Sequence, residues 1–461
     1  MTKKKYFHLI KATIGVSVLM MAFSCEELVH IDSPATQVTG ATVFTDDATA
    51  TAAINGLYFQ MSNGGFSYGG TTSITQCAAL SSDDLISYSS NASRRGFYTN
   101  TILPTNSNLT VIWSSLYQTI YNANAVLEGM DASSTLTVAG KAQLEGEAKF
   151  VRAFCHFYLV NLFGAVPLAV STDYKINAYA ERQPVSVIYE VMLRDLQEAK
   201  ELIKEEYVSG EERVRPNKST VAAFLARVYL YQQNWSAAEA QSSELIANSN
   251  YSLLPLRDVF LKNSEESIWQ LYPVTSGLNT YEGNAFILLS RPTSFALSAS
   301  LLSAFEAGDN RYTNWIKDLT VGTTTYKFAY KYKVKASSVL SEYSTVFRLA
   351  EQYLIRAEAR AQSGNLSGAQ EDLNAIRNRA GLANTLATMK EELLVAIEKE
   401  RRVELFTEWG HRWLDVIRYQ RTEEFFAPLK APDWQSTDVL YPIPQVQLDN
   451  DPAMKQNPGY F

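Results

Sequence analysis

Apolar positions along the chain fall into helical rhythm over several long segments. Ile112, Leu116, Ile120, Ala123 and Leu127 step by four, four, three and four, and Leu144, Ala148, Val151, Cys155, Tyr158 and Leu162 keep the same rhythm. Ile188, Met192, Leu196, Ala199 and Ile203 do so after Pro184, whose preset φ suits a first helical turn. At 3.6 residues per turn each series forms one apolar stripe and leaves a charged face opposite. Such helices gain most of their stability by burying the stripe on a neighbour. The pattern predicts a mainly α protein of packed helices.

Two segments repeat one another at a constant offset. "ARVYLYQQNWSAAEA" (226–240) aligns with "AEARAQSGNLSGAQE" (357–371), placing Asn234 on Asn365, Trp235 on Leu366, Ser236 on Ser367 and Ala238 on Ala369. Both predict helix, short turn, helix. Ser236-x-x-Glu239 and Ser367-x-x-Gln370 are capping-box patterns that would open each second helix. The small Ala lets paired helices approach closely. This is the tetratricopeptide-like hairpin, a unit that buries its apolar face only against the next one. Four hairpins are expected, the other two near 111–163 and 389–420. Residues 60–110 and 270–345 differ in kind, being rich in Gly, Ser, Thr, Asn and Tyr with little helical periodicity. "SIWQLY" and "YKFAYKYKV" read as short strands within these long irregular insertions, and loops of this length usually bind something.

The N-terminus changes the picture. Lys3, Lys4 and Lys5 precede a charge-free run from Ala12 to Phe23, too short to span a bilayer, which ends at Ser24-Cys25 before Glu26 and Glu27. That is the shape of a secretory signal over residues 1–24. Cys25 at the new N-terminus is the expected lipid attachment point, although Ala22 stands where a lipobox usually has Leu. Beyond the signal the chain carries 37 basic and 48 acidic residues, near −11, which argues against nucleic acid and against charge-driven binding to anionic lipid. Cys77 and Cys155 are the two cysteines left, and Cys155 sits in an apolar helix where a buried free thiol is expected.

No catalytic pattern survives inspection. "GFSYG" (65–69) matches G-x-S-x-G but lacks the strand before and the helix after. Four histidines without H-E-x-x-H or C-x-x-C, and no P-loop or dinucleotide fingerprint, leave neither a metal nor a cofactor to expect. The charged stretch "EKERRVELFTEWGHRWLDVIRYQR" (398–421) spaces Glu400, Arg401, Glu404, Glu408, Arg412, Asp415 and Arg418 among large apolar residues, the pattern of a structural ion network.

Four blocks together resemble the SusD/RagB lipoproteins of the Bacteroidetes outer membrane: "EAKFVRAFCHFYLVNLFGAVPL" (147–168), "RLAEQYLIRAEARAQSGNLSGAQEDLNAIRNRAGL" (348–382), "ERRVELFTEWGHRWLDVIR" (400–418) and "LYPIPQVQLDNDPAMKQNPGY" (440–460). The resemblance implies a mainly α fold with four tetratricopeptide-like hairpins. It would make residues 25–461 one SusD-like domain, with ligand-facing insertions in the part to about 300 and the SusD/RagB part from 301. It also implies a non-enzymatic, surface-exposed outer-membrane lipoprotein that binds glycan and delivers it to a SusC-like TonB-dependent transporter. Peptide uptake within the same family is the alternative, and an interaction scaffold or a surface glycosidase are rivals of other classes.

The matching blocks are scaffold, so the ligand site is sought in the insertions. A sugar offers an apolar C–H face and an edge of hydroxyls, which call for flat rings and a few amide or charged groups. The candidates are Tyr68, Tyr88, Tyr98, Tyr281 and Trp315 for stacking, with Asp83, Arg94, Arg95, Asn100 and Asn284 for the edge. At least two of the rings are expected to line one shallow groove, whereas Phe154, Phe157 and Trp413 in the helices are expected in the core.

Overall fold

In a computed structural model the described residues are 43–460, so Cys25 and the signal lie outside them. The chain runs through α1 (Asp47–Asn63), α2 (Ile74–Ser81), the strand β1 (Leu85–Ser87) and α3 (Ala92–Thr99) into two 26-residue helices, α4 (Ser107–Ala132) and α5 (Val138–Phe163). After α6 (Val185–Leu202) comes the first repeat, α7 (Lys218–Tyr231) and α8 (Trp235–Ala247). Strands β2 (Ser267–Leu271) and β3 (Phe295–Leu297) flank the short α9 (Tyr281–Phe286), and β4 (Ile316–Val321), β5 (Thr324–Ala329) and β6 (Ser344–Arg348) lead into the second repeat. That repeat is α10 (Leu349–Gln362) and α11 (Leu366–Arg379), followed by α12 (Lys390–Leu405) and α13 (His411–Arg418). The hairpins α4–α5, α7–α8, α10–α11 and α12–α13 are the four expected from the periodicity.

The repeats stack through small residues. Ala226, Leu230 and Ala238 of the first pack on Ile355 and Ala359 of the second, and Ala357, Ala361, Ala369 and Leu373 continue the core toward Leu393 and Ile397 of α12. The cap differs from the capping boxes read in the sequence. Asn234 and Asn365, two residues earlier, accept hydrogen bonds from the N–H groups of Ala237 (3.3 Å) and Gly368 (3.0 Å). The preceding turn decides this: Gln233 and Gly364, again 131 apart, take positive φ of 58° and 88° and swing each Asn into the cap position. Gln233 bears a strain there that glycine does not. Gln233→Gly is therefore expected to stabilise the protein by about 0.5–1 kcal/mol in urea unfolding, and a loss of stability would contradict this account of the turn.

Residues 60–110 correct the sequence expectation, since α2, α3 and the start of α4 fall there. All eight residues of α2 are buried, so it carries no polar face and no stripe to detect. The central helix α5 is buried without break from Phe150 to Val160. Its Phe154 stands 5.5 Å from Trp269 and 5.4 Å from Phe224, which stacks 5.6 Å from Phe347. Trp269 and Phe347 face each other across the antiparallel pair β2–β6, so this two-stranded sheet is pinned into the helical core by aromatic packing. Of the other strands, β1 pairs with β3, β4 and β5 form a hairpin, and Val166–Pro167 pairs with Arg182–Gln183. Cys77 and Cys155 are buried free thiols.

The charged C-terminal stretch ends in buried ion pairs. Glu404 meets Arg348 at 2.5 Å and Arg311 at 3.0 Å and also binds Arg379; Arg401 meets Asp415 at 2.8 Å, and Arg418 meets both Asp415 and Glu358. Apart from Arg418–Asp415 within α13, each pair ties a helix to a neighbouring element.

Candidate functional site

The irregular segments around residues 64–72, 86–108 and 272–294 interlock into one surface. Asn108 donates its amide to the Thr71 carbonyl at 3.0 Å, Arg94 Nη1 donates to Ser294 Oγ at 2.7 Å, and the Tyr88 N–H donates to the Ser294 carbonyl at 2.9 Å. The tightest contact is at Gly69, where φ is +81° and a Cβ would come within 2.3 Å of the Glu282 carboxyl carbon. Only glycine lets the two loops approach this closely.

That contact brings two candidate rings together. Tyr68 precedes Gly69, Tyr281 precedes Glu282, and their rings meet edge-to-face with centroids 4.6 Å apart. Tyr281 opens α9, where the Thr280 hydroxyl caps the helix on the Gly283 N–H. The two hydroxyls rest on neighbours, Tyr68 Oη 3.3 Å from Thr71 Oγ1 and Tyr281 Oη 2.9 Å from Thr275 Oγ1. The rings line a narrow recess with Ser62, Tyr272, Pro273 and Val274. Those last four residues also line a cleft of about 860 Å³, whose far wall holds Asn55, Phe59, Ser209, Glu212 and Arg215. Phe59 is 53% exposed and Tyr272 45%, so both rings are open to a ligand in the cleft. Tyr343 supports the wall, packing 5.4 Å from Tyr272 and donating its hydroxyl to Glu212 at 3.0 Å. Asn284 lies on α9 and spends its amide on the Lys335 carbonyl.

A second group gathers at the β1–β3 pair. Tyr88 is 41% exposed and stands edge-on to Tyr326 at 5.6 Å. Arg94 and the exposed Arg95 lie in the first turn of α3. Tyr98, further along that helix, is partly buried, and the Lys430 ammonium sits 4.6 Å over its ring while donating to its carbonyl.

Three candidates are corrected. Trp315 is fully buried, its indole N–H donating to the Leu256 carbonyl at 2.8 Å and its ring packed on Phe260, so it is core. Asp83 is buried and accepts from Arg412 and Arg402 at 2.7 Å each and from Ser300. Burial pushes its carboxyl up, but Arg402 and Arg412 outweigh this and hold it below the usual range. It staples the insertion to the C-terminal helices. Asn100 is buried with φ of 59° and closes α3 as its left-handed cap.

Phe59 and Tyr272 belong to the surface and are not among the candidates, while the buried Tyr326 backs the Tyr88 ring. Phe59 carried a signal: it falls off the α1 stripe of Ile54, Leu57, Tyr58 and Met61, so a large ring had to face outward. Ser67 of the G-x-S-x-G match donates to the Met61 carbonyl in a buried turn, an arrangement with no nucleophile in it.

Glu282 lies behind this surface with unusual chemistry. Its carboxyl is buried, takes a hydrogen bond from the Ser344 hydroxyl at 2.7 Å, and leaves Oε2 without a partner. Burial pushes it up to about 7. A raised acid favours the protonated form in the folded state, so its contribution is fully present below about pH 4.5 and is lost as pH rises through 7. The loss is roughly 3 kcal/mol at the limit. Glu282→Gln should therefore be more stable than the parent at pH 8 and close to it at pH 4, measured by urea unfolding. Equal differences at both pH values would exclude this role.

Comparison with known proteins fits this architecture. Residues 45–230 match a family model described as "Starch-binding associating with outer membrane", and residues 308–460 match the model of the SusD family. SusD-like protein P2 of Formosa agariphila is 27% identical over 511 aligned positions, covering 96% of this chain and 98% of that protein. The starch-binding protein SusD of Bacteroides thetaiotaomicron is 35% identical over 123 residues, 25% of this chain and 21% of that one. Among solved structures, a laminarin-binding SusD-like protein superposes with a TM-score of 0.75 at 26% identity, over 90% of this chain and 100% of its own. A SusD superfamily protein from Bacteroides vulgatus reaches 0.81 at 19% identity, over 91% and 100%, which shows the shared fold.

Proposed function

Because the chain belongs to the SusD/RagB family, whose members are non-catalytic carbohydrate-binding proteins associated with the Bacteroidetes outer membrane, we propose that it is a surface-exposed lipoprotein that captures glycan on its interlocked insertions. It passes the glycan to a SusC-like TonB-dependent transporter, since a tethered binder cannot itself move sugar across a bilayer. Residues 1–24 are the signal, Cys25 carries the lipid, and residues 25–461 form the binding domain with its scaffold facing the transporter. The observation that carries the reading is the run of Tyr68, Tyr281, Tyr272 and Phe59 along one recess and cleft, with Asn55, Ser62 and Glu212 supplying polar edges. Rings of this kind stack on sugar faces while hydroxyls and amides select the edge.

Calorimetric titration with oligosaccharides tests the reading, beginning with those of laminarin and starch because relatives are named for them. Binding is expected without shortening of the glycan. Single Ala variants of Phe59, Tyr68, Tyr272 and Tyr281 are each expected to cost about 1–3 kcal/mol of affinity, with folding checked by circular dichroism. Unchanged affinity across all four folded variants would remove the groove assignment, and the absence of binding across a broad glycan panel would remove the glycan reading.

A further inference from the structure

At the Tyr88 end of the surface, three arginines lack a carboxylate. Arg94 spends one hydrogen bond on the neutral Ser294 hydroxyl, Arg95 and Arg291 are exposed, and among the described residues none of the three pairs with Asp or Glu. Many arginines of the scaffold end on acids, as Arg311, Arg348, Arg401, Arg412 and Arg418 do. The chain as a whole is acidic, with a formal charge of −7, so an uncompensated cationic patch runs against its composition.

A neutral donor in place of Arg94 would serve the Ser294 contact, so the fold does not require these positive charges. Arg94 and Arg95 occupy the first turn of α3, where the exposed N–H groups already make the helix end positive and cations are disfavoured. The β1–β3 pairing then carries Arg291 to the same place from the other side: Ser87 faces Phe295, and Ser294 bonds both Tyr88 and Arg94. Arg291 lies within electrostatic reach of the Tyr88 hydroxyl, as do Tyr98 and Tyr326, and no carboxylate is among the groups acting on it. The exposed Tyr88 ring thus lies near Arg291, and Ser294 ties Arg94 to the same strand end.

Resting on the glycan reading above, we infer that this end of the surface takes a sugar unit bearing a negative charge, a uronate carboxylate or a sulfate ester. Guanidinium binds either group through paired N–H donors, and the Tyr88 ring offers a platform for the sugar face beside it.

Titration of the full domain separates the possibilities. Neutral laminarin oligosaccharides, oligogalacturonate and sulfated carrageenan oligosaccharides of matched length are compared at low and high salt. At least one charged probe is expected to bind tenfold or more tightly than the neutral one, with the advantage shrinking at high salt. A preference for the uronate or for the sulfate supports the inference and identifies the group. In an Arg291→Gln variant the preference should fall at least threefold while neutral binding and the circular dichroism spectrum stay unchanged. Neutral probes bound as well as charged ones, or a preference that survives undiminished in the folded variant, would overturn the inference and leave the glycan reading standing. Binding of no oligosaccharide at all, or of anionic phospholipid vesicles instead, would overturn both.

Discussion

Glu404→Gln is expected to lower stability by about 3–5 kcal/mol, the range for removing one partner of a buried ion pair. Glu404 is fully buried in α12, and its carboxylate takes hydrogen bonds from Arg348 at 2.5 Å, from Arg311 at 3.0 Å and from Arg379. A glutamine offers one oxygen where the carboxylate offers two, and its amide hydrogens would point at guanidinium donors. The arginines cannot turn to water, because Arg311 and Arg348 are as buried as the acid. Asp309 and Glu400 still hold Arg311, and Glu266 and Glu408 still hold Arg348, so the damage is unsatisfied donors more than net charge. Burial pushes the Glu404 carboxyl up, but Arg379, Arg348 and Arg311 together outweigh it and hold it well below the usual carboxylate range. A depressed acid contributes stability above its unfolded value, near 4.5, and loses that contribution as pH falls toward its folded value. Parent and variant should therefore differ most at neutral pH and converge in acid. Urea unfolding at pH 7 and pH 3 measures both halves, and a difference under about 1 kcal/mol at pH 7 would show that the network is not a stabilising element.

How much of this was legible in the sequence depended on whether a residue's environment is local. Helices α4, α6 to α8 and α10 to α13 declare themselves because an amphipathic stripe is a one-dimensional record of what each helix buries, and α5 shows the apolar rhythm although it is buried from Phe150 to Val160. The same logic fails for α2, which is buried on every side and so shows no contrast. The offset of 131 predicted two matched hairpins, yet the true caps, Asn234 and Asn365, depended on the left-handed turn before them. At the candidate site the difficulty is sharper. Tyr281 and Trp315 looked alike in the sequence, both aromatic and both in an aperiodic stretch. Trp315 is core because its indole finds a carbonyl 59 residues away, a pairing that no local pattern encodes. Asp83 lost its place at the surface to arginines 319 and 329 residues distant. The Tyr68–Tyr281 contact was foreseeable only as a class of chemistry, since it needs Gly69 to admit Glu282 across two loops.

Cys25→Ala is expected to move the protein from the outer-membrane fraction to the soluble fraction almost completely. Cys25 lies outside the described residues. No helix of the described residues is long and apolar enough to cross a membrane. The chain beyond the expected signal is near −11, and an acidic surface is repelled by anionic lipid headgroups. Lipid carried by Cys25 would then be the attachment that remains. Each buried methylene of an acyl chain contributes about 0.8 kcal/mol, so losing the chains removes far more affinity than any surface contact could restore. The proposed ligand surface lies on loops held by contacts such as Gly69–Glu282 and Arg94–Ser294, well inside the described residues, and should not notice the change. The variant should therefore bind oligosaccharide with unchanged affinity while failing to sediment with membranes. Fractionation followed by titration of the released protein checks both parts. A variant that stays with the outer membrane as fully as the parent would refute the anchor, and one that leaves the membrane but loses its ligand would show that the surface needs the tether.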